Sequence, residues 1–575
     1  MSHTPNYDAA VKKILDATVP GEKVCALTGE RWDMTDKEIH WYKHFNVPPL
    51  SVSPRTFLRQ IMLLSTGYSW WWNKNAETGE PLITSTHPHM SYKVIPDERW
   101  HAQDFSTLGC ACDPEQPFFG QFCELAFRVP VSAWKNFEKP VNSVARHSLG
   151  DQDSYFVEGT ISRNAFYSTD SLKIEDCVEV QWSSNVRDSY NIMLCQGMSQ
   201  SRVARHSSNC HRCDFVFDCH DCEFCFMSFN KKHRKYLFRN EQLTREAWEK
   251  KMAEMNFGDS QVFEALRQEF KEKVGTEAVW PEHFNEKCEN STGDHLRNCV
   301  NCERSWYCDG AKDSWYTLWG NLGTERSVLG CDPGGSDGFG NFIAVSCQGC
   351  KFSWILNKCR NVEYSVECRE CENCFGCVGL NHKQFHIFNK PYSEAEYWSL
   401  VDALKTAMLE RGEYGQVFPA KLMQTHVNHI GGTTTFRYSP EDLARFGVED
   451  FDPSEKNAFG DWKGKTFRNI SELPSHINDT GSEWVGVGFM DETMKRPFSI
   501  HPGELALHKR LGVPLRREHF IKRVEDTWKE INMLEWTTAT CAQCQKSLEV
   551  ADNQTYPNRK IYCRPCYLQY LETNG

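Results

Sequence analysis

The residues best suited to chemistry lie at the C-terminal end. The stretch "CAQCQKSLEVADNQTYPNRKIYCRPC" sets Cys541, Cys544, Cys563 and Cys566 in a C-x2-C-x18-C-x2-C spacing. Two C-x-x-C knuckles joined by a hairpin place four sulfurs at tetrahedral positions, the coordination of structural zinc. A centre closed by four thiolates leaves no position for water, so it holds a fold and does not catalyse. The bland alternative, two pairs without metal, leaves thiols in a small hairpin that has no core to bury them.

A denser run, "CRECENCFGC", carries Cys368, Cys371, Cys374 and Cys377, a cysteine at every third position. These four are the second candidate metal set. The competing reading is a ladder of neutral buried thiols. Cys350, Cys359, Cys368 and Cys377 recur every nine residues, and Cys177, Cys195, Cys213 and Cys222 recur at eighteen, eighteen and nine. Within nonamers ending on these cysteines, the third, sixth and ninth positions are small or apolar. Val186, Ala204 and Val362 stand where other repeats have cysteine. A metal ligand does not exchange for valine, whereas a buried thiol does, so the ladder reading outweighs zinc or an iron–sulfur cluster. A redox relay is disfavoured because Glu370 and Glu372 oppose thiolate formation.

A fixed register of small inward residues predicts a parallel β-solenoid whose like positions stack into interior ladders. A spacing of three is not the two-residue alternation of a flat strand, so the inward positions must straddle corners. Nine and eighteen residues per turn both remain open, eighteen being the more comfortable. Two copies align at an offset of 149, with Cys210, Cys219, Cys222 and Cys225 falling on Cys359, Cys368, Cys371 and Cys374. Each copy runs into a helix, from Thr244 and from Ser393, which would cover the open end of its solenoid. Ser393 with Glu396 makes a capping box.

The chain ends carry a second duplication. "CALTGERWDMTDKEIHWYKHFNVPPL" resembles "DETMKRPFSIHPGELALHKRLGVPL", pairing Trp32 with Phe498, Glu38 with Glu504 and Val47-Pro48 with Val513-Pro514. In both, a strand-like segment leads to a helix that stops at proline. The next helical stretch carries Arg55 and Arg59 in the first copy and Arg516, Arg517, Lys522 and Arg523 in the second. The latter four, beside the ribbon, are the candidate nucleic-acid contact. After the first copy, "WNKNAETGEPLITSTHPHMSYKVIPDERW" reads as the same ribbon without its cysteines. No metal is expected there, and His87 and His89 are expected on the surface.

With "CALTGERW", "VPPLSVSPRTFLRQ", "PFFGQFCEL", "CENCFGCVGLNHKQFHIFNK", "GEYGQVFP" and "GVPLRREHFIKR", the chain resembles an uncharacterised family of cysteine-rich zinc-ribbon proteins common in candidate-phylum bacterial genomes. Members are sometimes labelled CaiB/BaiF, but a CoA transferase would show none of this repeat pattern. The resemblance covers nearly the whole length and implies the architecture without an activity. Where relatives have a "CPxCR" knuckle this chain has "SVSPR", Ser51 to Arg55, which leaves Cys25 without obvious partners.

The totals narrow the function classes. A net charge of −12 over 575 residues disfavours a broad electrostatic grip on nucleic acid. No apolar run is long enough to span a membrane, and "MSHTPNYDAAVKKILDATVP" reads as an amphipathic helix without the apolar core of a signal peptide. Twenty-seven cysteines without a secretion signal point to a reducing cytoplasm. No P-loop or H-E-x-x-H occurs, "GGSDGFGNF" is a glycine loop with no helix signal after it and so makes no G-x-S-x-G elbow, and no catalytic residue is nominated. The aromatic runs "YSWWWNK" and "DSWYTLWGN" would stack on sugars or bases if exposed, but burial is the default.

The expected fold is mixed and mainly β. It comprises an N-terminal module with a degenerate ribbon (1–140), a first cysteine-rich solenoid with helical cap (141–287), a second (288–412), a connecting segment (413–485) and a C-terminal module with a zinc ribbon (486–575). The expected function is a zinc-stabilised, non-enzymatic scaffold for a macromolecular partner, protein or nucleic acid. The alternatives are a carbohydrate-acting β-helix enzyme and a multi-metal cysteine protein.

Overall fold

A computed structural model describes residues 2–453 and 466–575. More of them lie in strands than in helices, and most strand pairs are parallel. The chain forms two compact units, each built from two separate stretches: residues 1–133 with 284–458, and residues 134–283 with 459–575.

The second unit is organised around a ten-stranded sheet running from Val144–Arg146 to Glu241–Gln242. Its register shows how the sequence folds. Leu172 pairs with Ser184, Cys177 with Ser189, Tyr190 with Arg202, and Cys213 with Cys225, so the chain returns beside itself every twelve residues. The first coils return after eleven, as in Gln152 beside Arg163 and Leu172 beside Ile161. Neither nine nor eighteen is the repeat. Nine residues are three-quarters of a turn, so Cys350, Cys359, Cys368 and Cys377 are all interior but do not lie over one another.

The three-residue spacing has its cause in the backbone. Lys173, Asp176, Glu179, Trp182, Asn185, Asp188, Asn191 and Leu194 all sit in the left-handed region, with φ between 47° and 58°. Each is a corner. The residue after each corner points inward, giving Ile174, Cys177, Val180, Ser183, Val186, Ser189, Ile192 and Cys195, all buried. Four sides of three residues therefore make one coil. A left-handed corner on a residue with a Cβ costs on the order of 1 kcal/mol, and side-chain ladders help offset it. Asn164 Nδ2 donates to Asp176 Oδ1 (2.6 Å) and Asn209 Nδ2 to Asp221 Oδ1 (3.1 Å), each one coil apart.

Inward serines and cysteines are exchangeable because they do the same work. Ser183 Oγ donates to the carbonyl of Gln181 (2.8 Å) and accepts from the amide of Cys195 (3.0 Å), twelve residues on. Cys195 Sγ donates to Met193 (3.2 Å) and accepts from Ser207 (3.4 Å). Many inward thiols also reach the carbonyl nine residues ahead, as Cys213 does to Cys222 (3.4 Å).

The first unit repeats the pattern in residues 284–391. Phe342 pairs with Trp354, Arg360 with Glu372 and Cys374 with His386, again at twelve. "GGSDGFGNF", read as a loop, contributes the strand Ser336–Phe339 to a coil. Both ladders end in a short antiparallel turn followed by a helix, Arg245–Ala253 with its Thr244 cap and Glu394–Glu410 with the Ser393–Glu396 capping box. The Trp248 indole donates to the Leu237 carbonyl of the last coil (3.1 Å), which fixes the first helix over the open end.

Aromatic side chains join coils to the other elements. In the first unit Phe118 of helix Phe118–Arg128 meets Tyr364, Phe388 and Phe375 at 5.2, 5.4 and 5.6 Å. In the second, Phe263 and Phe270 of helix Ser260–Thr276 meet Phe215 at 5.5 and 6.0 Å. Tyr68, Trp70, Trp71 and Trp315 are buried, so these side chains pack the core and are not a stacking surface. No helix among the described residues is long and apolar enough to cross a membrane.

The ladder predicts the tolerance of its inward positions. Cys213→Val should cost less than about 1.5 kcal/mol, whereas Cys213→Asp, which buries an unpaired carboxylate, should cost about 3 kcal/mol or more. Urea-unfolding midpoints of the two variants give the comparison.

Candidate metal centre

The C-terminal quartet is assembled by three elements. Strands Asn532–Thr540 and Ser547–Asn553 pair antiparallel up to Thr540 beside Ser547, and the knuckle is the turn between them. It is closed by Cys541 N–H to Lys546 O (2.8 Å) and Gln545 N–H to Cys541 O (2.9 Å). Ala542 N–H to Ile561 O (2.8 Å) ties the turn to strand Lys560–Tyr562. That strand leads into helix Arg564–Asn574, with Cys563 as its N-cap and Cys566 in its first turn.

The four sulfurs come together within 4.8 Å of one another. Cys544 and Cys563 are 3.7 Å apart, close to the roughly 3.8 Å edge of a tetrahedron with Zn–S bonds of about 2.3 Å. The amides of Cys544 and Cys563 point at Cys541 Sγ at 3.5 and 3.3 Å. Burial raises the Cys541 thiol, but amide donors, those of Cys544 and Cys563 first, outweigh it and bring the group down to about 6. Cys566 is pushed up to about 12, chiefly by its hydrogen bond with Cys563. Four sulfurs this close cannot all ionise without a cation among them, and a helix N-terminus on one side favours negative charge. The donor set fits a divalent metal ion bound through sulfur.

Cys368, Cys371, Cys374 and Cys377 are arranged differently. They occupy the four successive sides of one coil and donate to the carbonyls of Val366 (3.5 Å), Arg369 (3.2 Å), Glu372 (3.5 Å) and Phe375 (3.5 Å). Cys371 and Cys377 reach a second carbonyl, Leu380 at 3.3 Å and His386 at 3.4 Å. Burial holds Cys368 well above the ordinary thiol range. Among the described residues, the group of potential ligands that converges on one point is the C-terminal one. The coil thiols are packed as hydrogen-bond donors, and all 27 cysteines are free thiols.

The basic quartet does not form an exposed patch. Arg523 is 3% exposed and its guanidinium meets Glu179 and Glu504 at 3.4 Å each. Arg516 is 12% exposed and pairs with Glu518 at 3.0 Å. Arg517 donates to the carbonyls of Ile470 and Leu473 (2.8 Å each), and Lys522 pairs with Asp526. The sequence showed the charges; it hid the buried carboxylate that draws them in, Glu179 on a coil corner.

Cys25, expected to lack partners for a metal, lies among the hydroxyl residues Thr28, Ser53 and Thr56. One further expectation changes. His87 is fully buried, donating from Nε2 to Pro453 O (2.9 Å) while Nδ1 accepts from the His89 amide (3.0 Å). Phe451 stacks on His89 at 3.9 Å and meets His426 edge-on at 4.9 Å. The signal was the pairing of "THPH" with "THVNH", where Thr425, His426 and His429 complete the cluster.

No family model and no curated protein matches the chain.

Burial lowers the His87 imidazole from 6.5 to about 4, with His89, His426, His429, Glu449 and Asp450 around it. A depressed folded value contributes stability that is present above the unfolded pKa and lost as pH falls through the folded one. Stability should therefore drop between pH 6.5 and pH 4. His87→Gln should be less stable at neutral pH and lose less on acidification, read from urea midpoints across that range.

Proposed function

We propose that the protein is a metal-stabilised scaffold that binds a protein partner and does not catalyse. Two parallel β-solenoids of twelve-residue coils form its two bodies, and the C-terminal module closes one of them with a zinc ribbon. The observation that carries this reading is the convergence of Cys541, Cys544, Cys563 and Cys566, with sulfurs within 4.8 Å of one another and amides aimed at Cys541. A site closed by four thiolates organises structure. The return of the chain at twelve residues in most coils, and at eleven or thirteen in the others, supports the solenoid, whose flanks are exposed rows of paired charges such as Arg163 with Glu175 and Lys235 with Glu223.

A protein partner is favoured over nucleic acid because the arginines nearest the ribbon are engaged inside the fold. The sequence resemblance to cysteine-rich zinc-ribbon proteins supports the metal reading, and a reducing compartment would keep the coil thiols as donors.

Metal analysis of the purified full-length chain tests the reading. One zinc per chain is expected, falling to near zero in Cys541→Ala/Cys544→Ala; three or more would turn the coil thiols into ligands. A labelled single-stranded RNA should show no salt-sensitive mobility shift. A shift weakened by Arg517→Ala would move the partner to nucleic acid.

A further inference from the structure

The N-terminal module contains the same knuckle with one thiol, Cys25, and hydroxyls at the other three positions. Cys25 N–H donates to Glu30 O (2.8 Å), Gly29 N–H to Cys25 O (2.9 Å) and Ala26 N–H to Ser51 O (2.9 Å). In the C-terminal module the same three bonds run from Cys541 to Lys546, Gln545 to Cys541 and Ala542 to Ile561, at 2.8, 2.9 and 2.8 Å. Gly29 and Gln545 both take the left-handed turn position, with φ of 74° and 64°. The second arm of each module ends on a helix N-cap with proline in the first two helical positions, Ser53 before Pro54–Leu63 and Cys563 before Arg564–Asn574.

By this correspondence Cys25 stands at the position of Cys541, Thr28 at that of Cys544, Ser53 at that of Cys563 and Thr56 at that of Cys566. The amides of Thr28 and Ser53 approach the Cys25 sulfur, as those of Cys544 and Cys563 approach Cys541. The interior is closed to solvent: Cys25, Ser53 and Thr56 are 2, 1 and 0% exposed. Ser53 Oγ lies 3.0 Å from Thr56 Oγ1 and 2.9 Å from Glu30 Oε2, and Thr28 Oγ1 lies 3.5 Å from Thr56 Oγ1.

We propose that Cys25, Thr28, Ser53 and Thr56 are a second four-ligand metal framework, locked without an ion by hydrogen bonds among its hydroxyls, which takes up zinc or cobalt(II) when those hydroxyls become thiols. Neutral hydroxyls are poor zinc ligands beside thiolate and imidazole. The three hydroxyl side chains bond to one another and to the Glu30 carboxylate, so hydrogen bonds hold the native module's shape without a metal ion. The inference rests on the metal reading of the C-terminal quartet. It adds that the first unit is independent of metal while the second is not.

Cobalt(II) titration of the metal-stripped full-length chain tests this, read by sulfur-to-cobalt charge-transfer absorption and by stoichiometry. One equivalent is expected for the natural chain, two for Thr28→Cys/Ser53→Cys/Thr56→Cys, and one when Cys541→Ala/Cys544→Ala is added to that variant. A folded triple variant that still binds one overturns the framework. So does a natural chain that binds two and loses one on Cys25→Ala. A natural chain that binds none overturns the C-terminal reading instead. Independently of any variant, hydrogen exchange of the natural chain after chelation should rise about tenfold or more over residues 541–566 and stay unchanged over 25–56. A rise over both segments counts against the proposal.

Discussion

The whole architecture depends on a left-handed residue at every third position of the coils. An extended strand would carry the chain away from its own axis; a corner after each three residues turns it back, and four corners close a coil of twelve. Most corners strain a residue with a Cβ, glycines such as Gly197 and Gly349 being the exceptions, and the strain persists only because neighbouring coils supply backbone hydrogen bonds. That requirement reaches the side chains. The interior is narrow, and the position behind each corner must fill it while linking the carbonyl two residues back to the amide of the next coil. Serine and cysteine do both. Valine and alanine fill space alone, which is why they can replace a thiol but do not dominate. The abundance of cysteine thus has a packing cause in this fold, since an inward thiol both fills the interior and bridges two coils.

The period-three pattern was legible in the sequence, and so were its inward columns, the two helices that follow the ladders and the C-terminal quartet. The length of a coil was not. Cysteine recurs visibly at nine because nine and twelve are both multiples of the true unit of three. The nine-residue step does have a physical counterpart: Cys359 Sγ reaches the Cys368 carbonyl (3.4 Å) along a diagonal of the coil. Stacking along twelve leaves no comparable trace, because Cys, Ser, Val and Ala share each column. At the N-terminal knuckle Cys25 and the "SVSPR" departure were visible but the residues around the thiol were not, since the other three positions hold hydroxyls and a search for thiols passes over them. The arginines near the ribbon were misplaced because charge composition says nothing about a carboxylate that arrives from residues far away in sequence.

Buried ion pairs fix how each coil face is covered. In the second unit Glu179, fully buried, receives Asn191 Nδ2 at 2.8 Å and lies 3.4 Å from Arg523. In the first, Glu363 receives Lys405 Nζ at 3.0 Å and the Tyr414 hydroxyl at 2.5 Å. The Lys405 ammonium lies 4.4 Å over the Tyr7 ring. Such pairs add little net stability, because desolvation offsets much of their attraction. Their effect is on registry. An apolar face could slide by one coil at small cost, whereas a displaced carboxylate would lose its cation.

Each unit is drawn from two distant stretches, and the order of those stretches has a consequence for how the protein is made. During synthesis the coils of residues 134–283 emerge on the order of tens of seconds before the terminal module that completes their unit. Until then the aromatic side chains that will be covered, and the carboxylate of Glu179, face the solvent of the cell. In that interval the coils' own ladder leaves an open edge only at its two ends, and the early helix Arg245–Ala253, through Trp248 to Leu237, already covers the last coil.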